Sequence, residues 1–280
     1  MQPEWLVGVT LVGLVVGSFL NVVIYRLPAG RSVLQPGSHC RWCEAPIAWY
    51  DNIPICSFVF LRGKCRVCHR AIAWRYPLVE AVTAACFVTL GVLLDGWIPL
   101  VVAWTLTAAL IATAFIDLDH RIIPDEITLP GIVVGLVVSA VVPTLHGMEM
   151  WWQGLGQSAL GVLVGGGSLY LTGLLGNVLF RKESMGGGDV KLLAMAGAFL
   201  GWKLALLAFF LAPLLAILPG LLVLVTTKSH EIPYGPFLSL ALFVTIVAGE
   251  PLLERLGIVE VLEIGVPELW RSLRLWLTTT

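Results

Sequence analysis

The chain has 280 residues, 58% of them hydrophobic and 12% charged, where a water-soluble domain of this size carries roughly 25% charged residues. With a net charge of −1 there is no basic surplus to suggest nucleic acid as a partner, and the composition excludes a single soluble globular domain. It fits an all-α polytopic membrane protein.

Apolar stretches long enough to cross a hydrocarbon core of about 30 Å follow one another, about eight in all. They lie near 5–25, 77–94, 98–116, 127–143, 154–180, 190–201, 204–226 and 235–250. The first, residues 1–25, has neither a basic leading region nor a small-residue cleavage site, so it reads as a retained helix and not a secretory signal. A polar insert, residues 26–76, follows. Eight of the seventeen Lys and Arg fall between Arg26 and Arg75, and short cationic loops stay on the cytoplasmic side. The insert is therefore expected in the cytoplasm and the N-terminus outside. Threading the later spans puts Arg121, Arg181, Lys182 and Lys228 on the cytoplasmic side too, whereas the opposite loops at 95–97 and 144–153 have no cation. Lys203 is the one misfit.

Within the insert, Cys40-x-x-Cys43 and Cys65-x-x-Cys68 have the spacing of a zinc ribbon. Each turn brings two thiolates to one ion, and two turns close a tetrahedral shell with no open position for water. The segment is also too small to be held by burial alone, and a cytoplasmic setting disfavours disulfides. A structural zinc on Cys40, Cys43, Cys65 and Cys68 is expected; redox use or unliganded cysteines are the alternatives. His39 and His69 read as neighbours of the site, and Cys56 and Cys86 as packing residues.

Residues 77–250 form the membrane bundle. Glu80 near its start reads as an interfacial side chain or the partner of a nearby Arg. Two acidic clusters border apolar spans, where a carboxylate is costly and calls for a reason. Asp117-Leu-Asp119-His-Arg121-Ile-Ile-Pro124-Asp125 closes the third span, and Gly186-Gly-Gly-Asp189 opens the sixth. Both are expected at the cytoplasmic boundary. Two carboxyl groups sharing a water and a proton are the machinery of aspartic proteolysis. For Asp117 and Asp189 the alternatives are helix capping or an ion path. If they are catalytic, Asp189 at a helix N-terminus suits the ionised base and Asp117 at a helix C-terminus the protonated acid. Asp125 reads as a helix cap, Asp119 as a solvated loop residue, and Gly165-Gly-Gly167 as a close helix contact. Residues 251–280 suggest an amphipathic tail at the interface. No internal repeat is evident.

These motifs resemble the type 4 prepilin peptidases. Gly17-Ser-Phe-Leu-Asn21-Val-Val-Ile-Tyr-Arg-Leu-Pro28 is similar to the family's first-helix motif, the paired cysteines to its zinc domain, and Arg75-Tyr-Pro-Leu-Val-Glu80 to the entry of its second helix. The aspartate clusters and Ile232-Pro-Tyr-Gly-Pro-Phe237 complete the series in family order. The resemblance implies an aspartic endopeptidase of the bacterial inner membrane, with Asp117 and Asp189 as the catalytic pair. Its substrates would be prepilins and pseudopilins of type IV pili and type II secretion, cut between a basic leader and an apolar helix. It also implies N-methylation of the new terminus from S-adenosylmethionine, with peptidase activity alone as the alternative. A proton- or metal-coupled carrier is the competing class, but carriers place such acids near the bilayer midplane.

Overall fold

In lipid a segment must satisfy its own backbone hydrogen bonds, so the long apolar runs become helices. The computed structural model describes residues 3–180, 185–227 and 233–256. Its helices are α1 (Pro3–Arg26), a short α2 (Cys56–Phe60), α3 (Arg75–Leu93), α4 (Trp97–His120), α5 (Asp125–Val141), α6 (Trp151–Phe180), α7 (Gly187–Thr227) and α8 (Gly235–Arg255). Among the described residues there is no strand, only two isolated bridges in the cysteine insert. The expected amphipathic tail lies outside the described residues beyond 256.

By length and composition, α1, α3, α4, α6, α7 and α8 can each cross a bilayer. The segments expected at 190–201 and 204–226 are two limbs of α7, joined at Gly201, where φ is 78° and ψ 173°. Only glycine takes that conformation without a steric penalty. The chain doubles back there. A Cβ on Gly165 of α6 would sit 2.6 Å from the Leu193 carbonyl and 3.4 Å from the Ala205 Cβ, whereas an unbroken helix would hold residues 193 and 205 about 18 Å apart. The break frees the carbonyl of Ala198, which accepts the hydroxyls of Ser139 (3.1 Å) and Ser158 (2.6 Å) from α5 and α6. His146 in turn lies 2.9 Å from the Ser139 hydroxyl.

Close backbone approach holds the rest. Gly161 of α6 and Gly197 of α7 face each other so tightly that a Cβ on either would meet the other's carbonyl oxygen at 2.0–2.1 Å. Of the glycine run in α6, Gly165 and Gly166 touch α7, and Gly167 faces open space. Helices α1, α3 and α4 pack as one group around Leu20, Ile24, Val79 and Ile116, and α5, α6 and α7 as another. Helix α8 lies against both α4 and α7, with Leu238 and Leu242 meeting Leu106, Leu110, Leu192 and Leu193. Helix α8 thus bridges the two groups.

Candidate active site and metal centre

Asp117 sits in the last turn of α4. The helix stops because Arg121 adopts φ 56° and donates its amide N–H to the Asp117 carbonyl (2.9 Å), after which Pro124 cannot continue the ladder. The Asp117 residue is only 6% exposed. Its Oδ2 accepts the backbone N–H of Gly235 at 2.9 Å, in the first turn of α8. A Cβ on residue 235 would lie 2.7 Å from that oxygen, so the carboxylate approaches the helix start to a distance only glycine permits.

Asp189 lies in the first turn of α7, half-buried, with its carboxylate folded back toward Gly186. The two acidic clusters meet. A Cβ on Gly188 would sit 2.8 Å from the Cβ of Ile123, four residues before Ile127 in the loop that follows α4. Just before α8, burial first and the Asp189 carboxylate second push the phenol of Tyr234 up to about 12. Three segments thus converge on one point: the end of α4, the start of α7 and the start of α8. Asp189 lies at the N-terminus of α7, and Asp117, in the last turn of α4, also faces the N-terminus of α8.

The neighbouring acids differ from their sequence reading. Asp125 opens α5 without capping it, and its two oxygens take Lys191 Nζ at 2.7 and 2.8 Å. Asp119 pairs with Arg75 at the start of α3. Glu80 is buried and pairs with no arginine among the described residues. It is 7% exposed, beside Gly17 of α1, and accepts the N–H of Ile55 at 2.8 Å. A buried acid of this kind is held by the donors that reach it.

In the insert the four sulfurs of Cys40, Cys43, Cys65 and Cys68 all lie within 4.8 Å of one another. Zn–S bonds of about 2.3 Å put tetrahedral sulfurs about 3.8 Å apart, the separation seen between Cys40 and Cys68, 3.8 Å. Burial opposes ionisation of Cys40, but amide hydrogen bonds from Trp42 and Cys43 and thiol contacts bring it down to about 6. At Cys68 the amide of Arg70 favours the thiolate, yet burial and the three neighbouring thiols push it up to about 11. Such crowding is what a dication relieves, since it holds all four as thiolates.

The absence of an internal repeat does not hold here. Cys40-Arg-Trp-Cys43-Glu-Ala-Pro-Ile-Ala-Trp49 and Cys65-Arg-Val-Cys68-His-Arg-Ala-Ile-Ala-Trp74 are one unit twice over. Their backbones agree bond for bond. Cys40 and Cys65 donate to Ala45 and Arg70, Glu44 and His69 donate back to Cys40 and Cys65, and Ile47 and Ile72 donate to Ser38 and Gly63. Glu44 and His69 even share a positive φ, 56° and 55°. The shared Cys-Arg-x-Cys-x-x-x-Ile-Ala-Trp pattern was legible, but at ten residues it is shorter than the repeat periods usually sought. Gly235 and Tyr234 were the other omission from the site.

Residues 11–94 match the profile of the bacterial peptidase A24 N-terminal domain, and residues 104–221 that of the type IV leader peptidase family. Among curated proteins, the prepilin leader peptidase/N-methyltransferase of Pseudomonas putida is 33% identical over 276 residues, covering 89% of this chain and 93% of its own length. That of Aeromonas hydrophila is 35% identical over 270 residues, covering 86% and 90%. That of Myxococcus xanthus is 39% identical over 226 residues, and there the match spans 80% of this chain and 65% of the relative. No solved structure is significantly similar.

Proposed function

The chain belongs to the type IV leader peptidase family, and we propose that it removes the leader peptide of prepilins and pseudopilins with Asp117 and Asp189 as its catalytic pair. The observation that carries this reading is that the first turn of α8 holds the Asp117 carboxylate while Gly188, next to Asp189, packs against Ile123 of the loop that follows Asp117, although 72 positions separate the two acids in the chain.

In this mechanism one carboxylate takes a proton from a shared water while the other, protonated, donates to the oxygen of the scissile carbonyl. The resulting tetrahedral carbon collapses as the leaving nitrogen receives a proton, and the two acids exchange roles. The Gly235 amide holds Oδ2 of Asp117 as an acceptor, which leaves Oδ1 to face the water or the substrate. Helix α8 thereby fixes the carboxyl without occupying its reactive oxygen. Both acids stand at one end of their helices, the end shared with the cysteine insert. A substrate whose leader lies in water and whose following helix lies in lipid presents its scissile bond at that level. The concentration of cations in residues 26–75 and at Arg121 supports a cytoplasmic placement of this end, with the N-terminus outside.

The four insert cysteines hold one structural zinc, whose closed thiolate shell gives it no part in hydrolysis. S-adenosylmethionine supplies the methyl group for the N-methylation named in the relatives, and no residue of this chain is assigned to it. The test combines the purified protein with a prepilin in liposomes, with and without S-adenosylmethionine, and reads the product by mass spectrometry. Leader loss and an added methyl are expected. Asp117→Asn and Asp189→Asn proteins that still insert and still retain zinc should not cleave; normal cleavage by both would remove the catalytic assignment.

A further inference from the structure

The cysteine insert carries an apolar edge that its own fold does not use. In and beside α2, Val59 is 66% exposed and Phe60 86%, with Ile53 and Trp74 also exposed. An isolated water-facing domain has no reason to show such a cluster.

The hydrogen bonds fix the depth of this edge. Trp74 directly precedes α3, which crosses the bilayer, and its ring packs on Phe58 of α2 at 4.9 Å between centroids. The amide of Ile55, one residue before α2, donates to Glu80, which lies five positions into α3 and so about 7.5 Å along its axis from Arg75. Arg75 itself pairs with Asp119 at the end of α4. The loop before α2 is therefore drawn alongside the first turns of α3, past Arg75. Ile55 takes a positive φ of 58° to present that amide, a conformation that β-branched residues avoid.

We propose that residues 53–60 form a wedge inserted into the leaflet on the insert's side of the bilayer, with Val59 and Phe60 among the acyl chains and Trp74 at the headgroups. The occupant is lipid, with anionic headgroups favoured, because the exposed residues that follow the wedge, Arg62 and Lys64, are cations. The wedge ties the metal domain to the membrane at a point separate from its covalent links to α1 and α3.

The full chain with p-benzoylphenylalanine at Phe60, and separately at Val59, is reconstituted in phosphatidylethanolamine–phosphatidylglycerol liposomes and irradiated. Phe19, exposed on α1, serves as the lipid-facing reference. Lipid adducts at both wedge positions within about threefold of the Phe19 yield are the expected result for side chains at acyl depth. Yields below that at both positions, whether the probe is quenched by water or captures a polypeptide, overturn the proposal. Both side chains are exposed, so neither replacement disturbs packing.

Discussion

Cys40 and Cys68 are 28 positions apart in the chain, and Asp117 and the amide that holds it are 118 apart. The metal centre is local. Two copies of one ten-residue unit each supply two sulfurs, and the geometry of each copy is set by its own backbone hydrogen bonds. The aspartate site is assembled from the ends of three helices in different packing groups, and no segment of it holds its geometry alone. A locally encoded site tolerates change elsewhere, whereas one built from remote parts transmits any shift in helix packing directly to its chemistry.

The largest test of that contrast removes a proton-transfer group. Asp117→Asn and Asp189→Asn should each lower leader cleavage by about 10² to 10⁴-fold, with metal content unchanged; parallel loss of metal would mean the two sites are not independent. Next comes a change that leaves both acids in place. Gly235→Ala sets a methyl group against Asp117 Oδ2, and a displacement of this kind should cost about 10²-fold in cleavage rate. Gly8→Ala, which meets nothing within 4 Å, is the matched control and should cleave normally.

A smaller loss of cleavage is expected from the other site. Cys65→Ser should take bound metal from one per chain to nearly none and unfold the insert, while cleavage keeps roughly a tenth or more of its rate, because Asp117, Asp189 and Gly235 all lie outside the insert. Cleavage falling as far as in the aspartate variants would erase the distinction between local and assembled sites. The smallest effect is electrostatic. Arg66 bonds Asp51 through Nε at 2.6 Å and holds that carboxyl below its ordinary range. A depressed folded value means the stabilisation is present above the unfolded value near 4 and is lost as pH falls through the lower folded one. Arg66→Ala should thus lower the melting temperature of the insert slightly at pH 7, and the difference from the parent chain should vanish in strong acid.

The sequence showed most plainly what is local. The Cys-x-x-Cys pairs, the apolar runs and the punctuation at Pro124 and Gly186–Gly188 could be read because each is determined within a few residues. Even the break in α7, at Gly201, coincides with the end of the expected segment 190–201. What could not be read were partners across the fold. Asp125 looks like a cap until α7 brings Lys191 beside it, and Glu80 looks interfacial until the insert lends it an amide. Tyr234 and Gly235 belong to a short loop motif whose proximity to Asp117 no periodicity encodes. The ten-residue duplication was open to inspection, and its brevity hid it.

The turn at Gly201 also decides which helices lie in the interior of the bundle and which face outward. The limb of α7 that starts beside Asp189 runs from Gly187 to Leu200, and its helical rise gives about 21 Å against a hydrocarbon core of about 30 Å. Helix α5, with 17 residues, also falls short of that thickness. Both shortened helices belong to the same half of the bundle, but residues 192–199 of the limb are buried, so lipid on that flank meets α5 and the longer α6 and not the limb. The shortfall of that limb is met inside the bundle, where the hydroxyls of Ser139 and Ser158 take up the carbonyl its end leaves free.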